Sequence, residues 1–269
     1  MKHLKIIIPA LGIIALSSLF ISCDKDTPLL ATTVPVDNSA TVQVFSATVK
    51  ATRNYVYVDG APVSGATLVY GGVFPSTAYS FKVDAGSRTF LIKDTLPAAT
   101  QSPITFAQNL EAGKSYTIFT YDTITSVKQA TVLNNIVVPT DTTARLRFAD
   151  FIYNPAAVAN VDVYSFRRIP GTPVFASTAV LNNAAVFAPV FTGSTPVFTN
   201  VSTNQVTPFI PYAAGITDTL YVFATGTTTP LLAKGLVPSL VQTRSYTSTY
   251  NGSYRGNLAA RLITTFATY

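Results

Sequence analysis

Histidine and cysteine are almost missing from this chain. His3 and Cys23 are the single examples, tryptophan is absent, Glu111 is the sole glutamate and Met1 the sole methionine. Each absence removes a class of chemistry. His3 falls in a segment that reads as a cleaved leader, so the rest of the chain has no imidazole base. Histidine-dependent triads, Cys/His dyads and histidine-bearing zinc sites are thereby excluded. The acids are scattered singly, with no D-x-D-x-D-G loop to hold Ca²⁺. Two distant aspartates remain as the minimal equipment for glycoside hydrolysis, but most aspartates sit at predicted turns. The expectation is a protein that is not an enzyme and carries no cofactor or metal.

Charge is also scarce, at 11% of residues. With few Glu, Lys and Met and many Thr, Val, Tyr, Phe and Ala, helix vocabulary is lacking and strand vocabulary is rich. Basic residues exceed acidic ones modestly, and removal of Lys2 and Lys5 lowers the formal charge from +6 to roughly +4. No basic block or recognisable module supports nucleic-acid binding. Arg145 and Arg147 share a strand face, which reads as a solvated one.

The long apolar run that is present lies at the start. Lys2 and Lys5 precede Ile6 to Phe20, followed by Ile21-Ser22-Cys23 and then Asp24-Lys25-Asp26. A positive n-region, an apolar h-region and a small residue before the cut define a secretory signal. The run is short for a bilayer span, which takes about 20 residues, and no basic stop-transfer flank follows. An unpaired thiol in an oxidising compartment is a liability, so Cys23 reads as a lipidation site and new N-terminus. Residues 1–22 are then the lipoprotein signal peptide. Stable anchoring needs two or more acyl chains, and the implied partner is the membrane. The Phe20-containing lipobox and the acids around Lys25 are similar to the relaxed lipoboxes and surface-export signals of Bacteroidota. That resemblance implies the outer membrane, at the cell surface or alternatively in the periplasmic leaflet.

Residues 23–40 are polar and proline-dotted and read as a flexible tether. Strand patterns follow. Thr41 to Phe45 alternates, Tyr55-Val56-Tyr57-Val58 ends at the hairpin-type pair Asp59-Gly60, and Tyr79, Phe81 and Val83 share a face. About eight short strands at sandwich-like spacing fill residues 41–139. Residues 140–269 repeat the pattern. Tyr116 precedes Ala130 by the same interval as Tyr246 precedes Ala260, and Val44-Phe45 with Val56-Tyr57 is echoed by Arg147-Phe148 with Val163-Tyr164. The second copy is longer between Ala176 and Thr207.

Three stretches resemble the DUF4397 family. Ala144-Arg-Leu-Arg-Phe-Ala-Asp-Phe151 with Ala159-Asn-Val-Asp-Val-Tyr164 is similar to its opening. Tyr55-Val-Tyr-Val-Asp-Gly60 is similar to its core, with Tyr55 replacing an aspartate, and Ala112-Gly-Lys-Ser-Tyr-Thr-Ile-Phe119 is similar to its closing strand. The resemblance implies an all-β chain of two tandem immunoglobulin-like or transthyretin-like β-sandwich domains, residues 41–139 and 140–269. It implies no activity.

Candidate functional residues are few. Asp94-Thr95, Asp122-Thr123, Asp141-Thr142 and Asp218-Thr219, each before an aliphatic residue or threonine, resemble the O-glycosylation acceptor of Bacteroidota. Thr95, Thr123, Thr142 and Thr219 would carry the sugar, although Asp-Thr is also ordinary turn chemistry. Tyr246 and Tyr250 share a strand face and could stack on a ligand, although tyrosines so placed are more often cross-strand core or surface pairs; Asn251-Gly252 reads as a turn carrying Tyr254 to the next strand. The Phe187 to Phe209 segment needs burial for its Phe187, Phe191 and Phe198. The C-terminal strand could be an edge open to association.

Two functional readings stay open. The first is a non-enzymatic membrane-anchored lipoprotein with an adhesive, structural or accessory role towards an envelope protein. The alternative is a polysaccharide-binding lipoprotein of a nutrient-uptake system.

Overall fold

The computed structural model describes residues 38–167, 196–254 and 260–268. Among them the chain is all-β. The first half contributes β1 (Ser39–Ser46), β2 (Asn54–Val58), β3 (Ala61–Pro62), β4 (Val73–Phe74), β5 (Phe81–Asp84), β6 (Gly86–Asp94), β7 (Ile104–Leu110), β8 (Ser115–Tyr121) and β9 (Lys128–Leu133). The second contributes β10 (Ala144–Tyr153), β11 (Val161–Arg167), β12 (Phe198–Val201), β13 (Ile210–Tyr212), β14 (Asp218–Ala224), β15 (Ala233–Val237), β16 (Ser245–Ser253) and β17 (Arg261–Thr268).

Each half is a two-sheet sandwich, and the strand orders correspond. In the first half, β4-β1-β8-β9, with β5 also on β1, faces β3-β2-β6-β7; in the second, β13-β10-β16-β17 faces β12-β11-β14-β15. The opening strand of each half lies parallel to a late one, β1 with β8 and β10 with β16, while the other pairings between named strands are antiparallel. The physical driver is alternation: β6 and β7 place every second residue inward, with Phe90, Ile92 and Leu110 in the core. Val42, Val44, Val56 and Phe90 join the two sheets of the first half, as Leu146, Phe148, Val163 and Val222 join those of the second.

Asp59-Gly60 forms the expected two-residue hairpin between β2 and β3, both residues having positive φ (49° and 83°). The tether boundary moves slightly, because Ser39 and Ala40 already pair with Asp84 and Val83. The interval linking Tyr116 to Ala130 is not a structural repeat. Phe119 faces Ala130, whereas the corresponding Thr249 faces Thr264, since Tyr116 pairs with Leu133 and Tyr246 with Ala267. The second hairpin is longer, and Ala260 precedes its returning strand. Asn251-Gly252 is not a turn either: both residues lie within β16, opposite Leu262 and Arg261. Glycine is required there by proximity, because a Cβ on Gly252 would lie 2.0 Å from the Ala260 carbonyl oxygen.

The outward faces of β1, β8, β10 and β17 meet between the halves and share a third core. Phe45 stacks on Phe266 (5.1 Å between ring centres) and Phe119 on Phe151 (4.7 Å). The edge of β17 is covered at this seam. Gln43 Nε2 donates to the Ala267 carbonyl (3.0 Å), and the Ala267 N–H donates to Thr77 Oγ1 (3.2 Å). Capped in this way, that stretch of edge cannot template another strand.

Candidate functional site

Tyr246 and Tyr250 align on one face of β16, as their spacing predicts, but the face is inward. They are 8% and 1% exposed and belong to the core of the second sandwich. The Tyr246 hydroxyl accepts the Val241 N–H at 3.0 Å, a tie from a strand to the loop before it. Neither ring forms an exposed stacking platform, because β16 is a central strand covered on both faces.

The four Asp-Thr pairs lie apart. Thr95 and Thr142 are exposed, and Thr123 and Thr219 are half-buried. Their aspartates have local structural work: Asp94 accepts the Leu96 N–H, Asp141 the Thr143 N–H, Asp122 the Thr123 N–H, and Asp218 the Tyr212 hydroxyl. Hydrogen bonds from Thr143 hold the Asp141 carboxyl below its ordinary value. Cys23, Phe187 and Phe191 lie outside the described residues. Phe198 is buried against Phe148.

Sequence patterning missed the feature with most chemical content, a cleft of about 570 Å³ beside the seam. One wall is Val132, Leu133, Asn135 and Val137 at the end of the first sandwich; the other is Val206 to Phe209 and Pro211, leading into β13. Arg145 and Arg147 of β10 also line it. Pro208 and Pro211 limit the backbone donors of that wall, so its character is set by side chains: apolar flanks, amide and threonine groups, and two guanidinium groups.

Arg147 is not on a solvated face. It is 2% exposed, because the side of β10 that carries it packs against the first sandwich. Its Nε donates to Thr247 Oγ1 (2.8 Å), and its Nη2 donates to Asn134 Oδ1 (2.7 Å) and Thr117 Oγ1 (3.2 Å). The Phe209 ring covers it, 4.7 Å from Cζ to the ring centre. All these partners are neutral. No carboxylate among the described residues pairs with Arg147, and burial lowers its pKa to about 9. Arg145 lies half-buried at the rim, with Nη1 on Thr143 Oγ1 (3.2 Å) and within the field of Asp141.

A signal for this site existed in the sequence. Ala-Arg-Leu-Arg-Phe places two charges at alternate positions of an otherwise apolar strand, in a chain where charge is rare. Among the described residues no cluster of His, Cys, Asp or Glu could hold a metal ion.

No family model matches the chain, and no curated protein matches it. Among solved structures, the chain is similar to the family CBM26 module CBMbc of Eubacterium rectale Amy13K, determined in complex with maltoheptaose. The identity is 11%, the TM-score is 0.27, and the match covers 86% of this chain and 97% of that one.

Proposed function

We propose that this chain is a non-catalytic binding lipoprotein of the cell envelope, anchored through acylated Cys23 and taking up polysaccharide in the cleft beside the seam. The observation that carries the reading is the cleft's lining. Its Val, Pro and Phe walls offer apolar surface to sugar rings, its arginines and Asn135 offer donors, and no carboxylate or thiol among the described residues lines it that could attack or protonate a glycosidic bond. The adhesive or accessory role towards an envelope protein is the second reading. It is favoured by Val137 and Val138, 69% and 64% exposed at one end of the cleft, which suit a protein contact. Membership of the DUF4397 family and display at the cell surface belong to the same proposal.

The test is retention on polysaccharide affinity gels with the full chain and with Phe209→Ala. Retention by at least one polysaccharide, lost in the variant, is expected. Retention by none, together with specific cross-linking of one envelope protein through Val137 on intact cells, would replace this reading with the second. Labelling with a palmitate analogue, abolished by Cys23→Ser, tests the anchor.

A further inference from the structure

Resting on the polysaccharide reading, we infer that the cleft is specific for acidic sugars, with Arg147 receiving a sugar carboxylate and Phe209 and the proline wall flanking the ring.

Arg147 is costly to bury. A guanidinium removed from water is stabilised when a carboxylate pairs with it, and the usual solution is a bidentate ion pair within the protein. Among the described residues Arg147 has no such pair. The positions that receive Arg147 hydrogen bonds are threonine hydroxyls and an asparagine oxygen, which orient the group without neutralising it. Thr117 Oγ1 also donates to Asn134 Oδ1 (3.0 Å), so the neighbours are bonded to one another as well. Nε and Nη2 are thus engaged, and Nη1 makes no hydrogen bond to any of the described residues. It is the nitrogen left for an incoming oxygen. Fixed by neutral partners, walled by Phe209 and opening into a cleft, Arg147 is a preorganised cation with no anion among the described residues.

Arg145 adds a second positive charge at the rim, two residues along the same strand and on the same side. The field in the cleft is therefore positive, although Asp141 moderates it outside. An anion bound there would gain from both arginines in surroundings drier than bulk water.

Sugar acids fit better than acidic peptides. A peptide binds most readily by adding a strand to a free sheet edge; β13 is three residues long with Pro211 at its centre, a poor template, and the terminal strand β9 reaches the cleft only with Val132 and Leu133 at its end. A uronate ring presents an apolar C–H face and an edge carboxylate together. The cleft pairs the Phe209 ring and proline surface with Arg147 in the same arrangement.

The deciding experiment is calorimetric titration of the full chain in detergent with four probes: trigalacturonate, its methyl ester, neutral galactotriose and hexaglutamate. Trigalacturonate should bind, the ester and the neutral trimer should bind about tenfold more weakly or worse, and salt should weaken the acidic ligand alone. Arg147→Met should remove most of the preference for the acid, Arg147→Lys should restore part of it, and Arg145→Met should reduce it about two- to fivefold. Lys114→Gln, which removes an exposed charge elsewhere, should change nothing. Unfolding midpoints of each variant separate lost binding from lost folding, and Arg145→Met at the rim keeps the test decisive if Arg147→Met is unstable.

Equal binding of galactotriose and trigalacturonate, unchanged in Arg147→Met, overturns the acid specificity and leaves polysaccharide binding standing. Binding of none of the three sugars overturns both, and preference for hexaglutamate overturns the sugar assignment in favour of an acidic protein partner.

Discussion

Gln43 and Arg147 are the same residue position in the two sandwiches. In the parallel pairs, Gln43 lies opposite Thr117 and Arg147 opposite Thr247, one residue after the Val42–Tyr116 and Leu146–Tyr246 pairings. Each is buried at the seam and reaches into the other half: Gln43 to Ala267, and Arg147 to Thr117 and Asn134. Their substitutions should nevertheless differ. Gln43→Ala removes the donor to the Ala267 carbonyl on the β17 edge and leaves a cavity, a loss of about 2–3 kcal/mol. Arg147→Met keeps the volume and removes an uncompensated charge, while Thr117 and Asn134 retain each other, so the change should lie within about 1 kcal/mol of neutral or be stabilising. Urea unfolding compares the two. A loss above about 3 kcal/mol for Arg147→Met would mean that the charge is structural and would remove the reason to assign it a ligand.

The two repeated tyrosine anchors have a common job. Tyr116 accepts the Glu111 N–H at 3.1 Å and Tyr246 the Val241 N–H at 3.0 Å, each five residues upstream. Tyr116→Phe and Tyr246→Phe should each cost about 1 kcal/mol, with additive effects in the double variant because the sites are in separate cores. An effect of Tyr246→Phe on glycan retention without loss of stability would contradict this structural role.

Which parts of this were legible in the sequence follows from what a strand pattern encodes. Composition and alternation give the strand content, and Asp59-Gly60 gives its hairpin, because positive φ at two consecutive positions selects those residues. The paired Tyr116 and Tyr246 mark the repeat correctly. Their partners do not, because loop length is free to change while strand pairing is not: Ala130 corresponds to Thr264, and Val44 to Phe148 with Arg147 matching Gln43. Arg147 does point away from its own core, as a charged residue of an alternating strand should, but the first sandwich covers that outward face, and no local pattern encodes such long-range packing. The cleft itself joins residues far apart in the chain, and no local pattern announces it.

Gly235 tests how the two sheets of the second sandwich approach. It lies in β15, where a Cβ would come within 2.5 Å of Ile263 Cβ and 2.8 Å of the Ile263 carbonyl oxygen. Backbone cannot retreat cheaply on both sides, so Gly235→Ala should cost about 2 kcal/mol or more, and Gly235→Ala with Ile263→Gly should recover part of it. Thermal unfolding of the three variants is the measurement. No recovery in the double variant would mean that the clash lies with backbone alone.

Asp150 should make stability depend on pH in the direction opposite to most carboxylates. It is fully buried in β10; Oδ1 accepts the Ile152 N–H at 3.0 Å and Oδ2 has no partner. Burial pushes its pKa up to about 7, only partly offset by the Ile152 bond, and the nearby Tyr250 phenol is pushed up as well, by burial first and by Asp150 second. An unfolded chain releases the proton near 3.8, so between pH 4 and 7 the folded state binds more protons than the unfolded one. Stability from this group is therefore greatest below about pH 4, erodes as pH rises, and is fully lost above about pH 7, by an amount on the order of a few kcal/mol. Asp59, Asp94 and Asp141, whose values are lowered, act the other way and lose their contribution on acidification, so the slope must be read as a difference. Asp150→Asn keeps the oxygen that accepts from Ile152 and cannot ionise. Its stability relative to the parent chain, from urea midpoints at pH 4.5, 6 and 8, should rise by several kcal/mol across the series, with most of the rise complete by pH 8. A constant difference at all three values would show that Asp150 has the same proton affinity in the folded and unfolded chain.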